Sequence, residues 1–190
     1  MSVVDSPSRD VAVSDYLTLI DPRGKAADGD GVAVSGLPSL QGKKLAVVTQ
    51  GGWRSWTYYR ERLEAYLDGP GKEIEHRRWQ DDRPYLPERY DEIASSVDAA
   101  VIGLGNCGSC TNSVATAAAE LAARGLPVVV IVTAGFQTLA EKTLQYKKQA
   151  HVPVISLPAA YEVMTEDEII SIADERVADV EAALTQLASS

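Results

Sequence analysis

The two cysteines of this chain lie three residues apart in one glycine-rich stretch, Gly103-Leu104-Gly105-Asn106-Cys107-Gly108-Ser109-Cys110-Thr111-Asn112-Ser113. Thiols at CxxC spacing can close a short disulfide, and either one can act alone as a nucleophile. The bland alternative is two small loop residues without chemistry. Against it stands the gathering of both cysteines in a single Gly-rich loop ahead of a helix. A helix N-terminus offers free N–H groups and a positive dipole end, which favour a thiolate. No Lys, Arg or His adjoins the pair, so Cys107 as attacking group would draw on the N–H groups of the turn Gly108-Ser109-Cys110-Thr111. Arg54, from another loop, is the candidate for further help. Structural zinc wants four ligands and a lone CxxC supplies two. The two histidines, His76 and His151, are not at ligand spacing, so no metal and no cofactor are expected.

The glycines Gly103, Gly105 and Gly108 also match G-x-G-x-x-G. A dinucleotide site would need an acid about 20 positions on. That region holds Gly125-Leu126-Pro127 and Val132-Thr133-Ala134, with no acid. The glycines read instead as a tight loop around the thiols. A second loop, Thr49-Gln50-Gly51-Gly52-Trp53-Arg54-Ser55-Trp56, follows the first strand. Gly51 and Gly52 allow close backbone approach, Ser55 suits a helix cap, and Trp53 with Arg54 suit a planar or anionic ligand. Trp56 reads as a core aromatic, and for Trp53 core and ligand readings stand level. The expected substrate contacts are Gly51, Gly52, Trp53, Arg54, Asn106, Ser109, Thr111 and Asn112. Thr133, Gly135, Phe136, Pro158 and Tyr161 are weaker pocket walls. No Ser-His-Asp arrangement is visible; His151 enters its strand from the edge opposite these loops.

The elements that position these loops alternate regularly. Strands are expected at 45–49, 74–79, 99–103, 128–132 and 152–157. Helices are expected at 56–67, 88–96, 111–124, 137–149 and 165–187. Val128 to Val132 is a run of β-branched residues, as a strand buried on both faces requires. Gly125 suits a helix C-terminus, and Thr165 with Glu168 has the spacing of a capping box. Strand–helix alternation predicts an α/β domain, a single doubly wound, mostly parallel five-stranded sheet in flavodoxin-like order 2-1-3-4-5 over residues 41–190. In that order the loops after the first and third strands meet where ligands bind. Residues 1–40 read either as an N-terminal arm, whose run Tyr16-Leu17-Thr18-Leu19-Ile20 is expected to dock on a second chain, identical or not, or as a partly disordered leader.

Composition narrows the setting. The 190 residues carry 18 Lys+Arg against 27 Asp+Glu, a net charge of −9, which speaks against nucleic-acid or anionic-membrane partners. No apolar run approaches the roughly 20 residues that span a bilayer. Met1-Ser2-Val3-Val4-Asp5 lacks the basic and apolar regions of a signal peptide. A cytoplasmic globular protein is the expectation.

The cysteine stretch followed by a helix, with Arg124-Gly125-Leu126-Pro127-Val128-Val129 and Thr133-Ala134-Gly135-Phe136, resembles the UGSC-like (seleno)protein family. The resemblance spans residues 15–187 and places Cys107 where some members carry selenocysteine. It departs after the first strand, where an Asn-Gly-Lys type loop is expected and Gln50-Gly51-Gly52-Trp53-Arg54 stands. The resemblance implies a redox-active or nucleophilic centre at Cys107 with Cys110 as partner. The leading expectation is a thiol-dependent oxidoreductase acting on a small molecule or a thiol/disulfide. Cys110-Thr111-Asn112-Ser113 is also similar to the Cys-Asn-Thr loop of aspartate/glutamate racemase-like enzymes. A non-redox lyase or group-transfer enzyme therefore stays open, as does a non-catalytic subunit of a larger complex.

Overall fold

The computed structural model describes residues 34–68, 75–80 and 87–186, of which 75–80 are described as backbone only. The Tyr16–Ile20 run, and with it the expected arm contact, lies outside these residues. The strands are β1 (Lys44–Thr49), β2 (Glu75–Gln80), β3 (Ala99–Gly105), β4 (Val128–Thr133) and β5 (Val154–Leu157). The helices are α1 (Arg54–Leu67), α2 (Pro87–Ser96), α3 (Gly108–Ala122), α4 (Gln137–Tyr146) and α5 (Glu166–Thr185). Short 3-10 turns occupy Ala134–Phe136 and Tyr161–Val163. The expected α/β plan with a parallel sheet holds. Strand order is β2-β1-β3-β4-β5, and every neighbouring pair is parallel. β1, β3 and β4 are flanked on both sides, and β2 and β5 end the order among the described residues.

Side-chain alternation along each central strand feeds two cores. Ala46, Val48, Ala100, Ile102, Val130 and Val132 point to the face covered by α2, α3 and α4. Leu45, Val47, Val101, Ile131, Ile155 and Leu157 point to the face covered by α1 and α5. Both faces of β3 and β4 are buried, which explains why their sequences are apolar up to the closing Thr133 of β4. Helix α3 turns Ala115, Ala117, Ala118, Ala119 and Ala122 inward, so small side chains bring it close to the sheet. Residues 34–40 join this body: Val34 and Leu40 are buried, and Leu37 N donates to the Leu184 carbonyl at 2.9 Å.

Helix α1 is tied to the C-terminal segment by a polar stripe at four-residue spacing. Tyr58 donates to Glu166 at 2.7 Å, Arg62 to Asp174 at 2.5 Å and Tyr66 to Glu181 at 2.9 Å. The capping box of α5 forms as the sequence predicts, with Thr165 and Glu168 bonded reciprocally. Among the described residues no helix is long and apolar enough to cross a membrane.

Candidate functional site

Helix α3 begins three residues earlier than the sequence suggests, at Gly108, and this changes the role of the thiols. Cys107 is its N-cap: the sulfur accepts the N–H of Cys110 at 3.1 Å, and the Cys107 carbonyl accepts the N–H of Thr111 at 2.9 Å. Cys110 therefore sits in the first helical turn rather than in a loop. The two sulfurs are bonded, with Cα atoms 5.2 Å apart. Ser109 Oγ lies 3.4 Å from the Cys107 sulfur. Both cysteines are half-buried while Gly108 and Ser109 between them are exposed, so the bridge is within reach of a partner in solution.

Neighbouring elements fix this turn. Thr133, at the end of β4 and buried, donates its hydroxyl to Asn106 Oδ1 at 3.0 Å. Gly105 meets α3 so closely that a Cβ there would lie 2.9 Å from Thr111 Oγ1 and 2.8 Å from Val132 Cγ1. A Cβ on Gly103 would lie 2.6 Å from Trp56 Cζ3. These two glycines lie within β3 and are required by packing, so the expectation that they form a tight loop around the thiols is corrected. Trp56 itself is buried, bonds Thr49 Oγ1 through Nε1 at 3.0 Å and stacks on Tyr59.

The β1–α1 loop lies beside the thiol turn because β1 and β3 are neighbours; Gln50 N donates to the Gly103 carbonyl at 2.7 Å. Gly51 adopts a left-handed φ of +75°, and the Trp53 indole folds over it, 3.2 Å from where a Cβ would stand. Trp53 also packs on the α1/α5 core while staying half-exposed. Gly52 is exposed with open space around it.

Three expectations need correction. Ser55 does not cap α1, since the helix starts at Arg54 with Trp53 as an N-cap that makes no side-chain bond. The cap comes from 108 residues away: Glu162 accepts the N–H of Arg54 at 3.1 Å, the N–H of Ser55 at 3.0 Å and the Ser55 hydroxyl at 2.6 Å. Arg54 does not aid the thiols. Its guanidinium donates to the carbonyls of Glu162 at 3.3 Å and Met164 at 2.7 Å and stands over the Tyr58 ring. Thr111 and Asn112 do not join the other expected contacts: Thr111 is fully buried, and Asn112 faces a cleft shared with Lys142, Thr143 and Tyr146 of α4. Gly51, Gly52 and Trp53 follow β1, and Asn106, Cys107, Ser109 and Cys110 follow its neighbour β3, at the same edge of the sheet.

Electrostatics follow from these contacts. Burial works to raise the Glu162 pKa, but the Ser55 hydroxyl, two backbone N–H groups and the Arg54 charge outweigh it and hold the carboxyl below its ordinary value. Burial lowers the His151 pKa, and that residue precedes β5 at the opposite edge of the sheet. Glu162 has no sequence signal as a cap, because its partner helix is distant in the chain. Thr133 carries one, standing at the C-terminal end of a buried strand.

The UGSC family matches residues 18–186, a span that includes every element of the site. The chain belongs to the UGSC family. Its cysteine turn, Cys107-Gly108-Ser109-Cys110, lies within the matched span. No curated protein matches this UGSC chain. Among solved structures it is similar to a diflavin flavoprotein A3 from Nostoc sp., at 13% identity and a TM-score of 0.48, covering 76% of this chain and 94% of that one.

Proposed function

We propose that this UGSC protein is a thiol/disulfide oxidoreductase in which Cys107 attacks and Cys110 resolves. The observation that carries the reading is the solvent-reachable Cys107–Cys110 bridge at the N-terminus of α3, with the Cys107 sulfur on the N–H of Cys110. In the reduced state that N–H and the positive end of α3 favour the Cys107 thiolate over the thiol. The thiolate attacks one sulfur of a substrate disulfide, forming a mixed disulfide and expelling the other sulfur as a thiolate. Cys110, deprotonated, then attacks the Cys107 sulfur, closes the internal bridge and releases the second substrate thiolate. Two electrons pass from the dithiol to the substrate, and an external thiol reductant restores the pair. We take Gly52 and Trp53, in the loop after the neighbouring strand β1, as the surface that meets the substrate, and Asn106 is held in place by Thr133.

The test is trapping. With reduced protein and a small aromatic disulfide, Cys110→Ser should accumulate a stable mixed disulfide on Cys107, read by intact mass. Cys107→Ser should show neither turnover nor a comparably fast adduct. Adducts forming equally on either remaining thiol would contradict the assignment.

A further inference from the structure

The two sulfurs of the Cys107–Cys110 bridge have different surroundings. Cys107 Sγ accepts the N–H of Cys110 at 3.1 Å and lies 3.4 Å from Ser109 Oγ. A sulfur held in a disulfide carries no hydrogen, so in the bridged protein the Ser109 hydroxyl is the donor of that second contact. Cys107 is also the N-cap of α3, where the positive end of the helix adds to both donors. Among the described residues no hydrogen bond reaches the Cys110 sulfur. Both cysteines are half-buried, so exposure does not choose between them.

This asymmetry bears on how the bridge is opened. When a thiolate attacks a disulfide, one sulfur takes the incoming bond and the other leaves as a thiolate. The sulfur whose thiolate is better stabilised leaves faster. Hydrogen bonds to an ionised acceptor are stronger than those to a neutral one, so both contacts to Cys107 strengthen as charge develops on its sulfur. Charge on the Cys110 sulfur gains no such partner among the described residues.

We infer that the external thiol reductant attacks Cys110 and expels Cys107, and that the Ser109 hydroxyl helps to set this direction. The inference rests on the oxidoreductase reading and adds to it the sulfur at which recycling begins. First, one reductant thiolate bonds to Cys110 Sγ, the S–S bond breaks, and its electron pair stays on Cys107 Sγ as a thiolate. Next, a second reductant thiolate attacks the reductant sulfur of that mixed disulfide, and Cys110 leaves as a thiolate. Two thiols become one disulfide, and the bridge gains two electrons. The two halves of the cycle thus use different sulfurs: substrate is held on Cys107 and reductant on Cys110. The attacking thiolate is regenerated in the first recycling step.

The test uses the oxidised full chain and 2-mercaptoethanol, an uncharged monothiol. At low thiol concentration the second step lags, and N-ethylmaleimide then caps whichever cysteine has been freed. Fragmentation of the peptide carrying both residues should show the thiol adduct on Cys110 with maleimide on Cys107, in about tenfold excess over the reverse arrangement. Ser109 is exposed, so its replacement leaves the core intact. Ser109→Ala should lower the ratio about threefold, and Ser109→Thr, which keeps the hydroxyl, should restore it. The ratio compares two products of one molecule, so a general loss of stability does not move it. Equal amounts, the reverse arrangement, or no trapped adduct at any thiol concentration overturns the inference. An unchanged ratio in Ser109→Ala overturns the part given to Ser109. If these fail while Cys110→Ser still traps substrate on Cys107, the oxidoreductase reading stands without them. An adduct on Cys110 with no such trap supports this direction of opening and counts against that reading alone.

Discussion

The sulfur of Cys107 accepts the N–H of Cys110 at 3.1 Å, so the residue proposed to attack also caps the helix that carries its resolving partner. Capping and thiolate stabilisation are one interaction here, since both place an electron-rich atom on a free N–H of the first turn.

That double role separates two substitutions at one position. Cys107→Ser and Cys107→Ala both remove the bridge and the nucleophile, but serine is a strong N-cap and alanine is not. Under reducing conditions the serine variant should be the more stable by about 1 kcal/mol, measured by urea denaturation. Equal stability would mean that no capping side chain at position 107 contributes to α3.

Glu162 holds the start of α1 in place of a local cap. Its folded pKa lies below the ordinary 4.5, so its contribution is fully present above that value and is lost as pH falls through the folded value. Glu162→Gln should lower the melting temperature at neutral pH by the equivalent of about 1 kcal/mol. The variant should also lose less stability than the parent on acidification below about pH 5. A parallel acid limb in the two proteins would refute the coupling.

Gly103 and Trp56 occupy one space. Gly103→Ala would put a methyl 2.6 Å from Trp56 Cζ3, with the ring pinned by Thr49 and Tyr59. Overpacking of this kind costs about 1–3 kcal/mol. Denaturant titration followed by tryptophan fluorescence measures it; an unchanged midpoint would show that the indole shifts freely.

Thr133→Val keeps the shape of a buried side chain and deletes the donor to Asn106 Oδ1. About 1 kcal/mol of stability should be lost. Release of Asn106, which precedes the N-cap, should also slow mixed-disulfide formation at Cys107. Unaltered thiol kinetics would confine Thr133 to the core.

The legible part of this protein was the part written in local pattern. The apolar stretch Ala99–Ile102 marked β3, the β-branched run Val128–Val132 marked β4, and the Thr165–Glu168 spacing marked the start of α5. The start of α3 was missed because Gly108 and Ser109 read as loop residues, whereas the Cys107 sulfur supplies the cap that lets the helix begin there. That Arg54 turns to the carbonyls of Glu162 and Met164 rather than to the thiols is not legible in the sequence, because those partners are set by topology alone. Ser55 failed as a cap for the same reason, its hydroxyl being a donor to a carboxylate from the far end of the chain.

The account rests on Cys107 being the reactive thiol, and competitive alkylation of the reduced protein tests that most directly. A free cysteine ionises near pH 8.5. With its sulfur on the Cys110 N–H, Cys107 should label faster than Cys110 at about pH 6 to 7, with a rate–pH midpoint below that free value. Equal, slow labelling of both thiols, each with an ordinary midpoint, would contradict the reading of this turn as an active site.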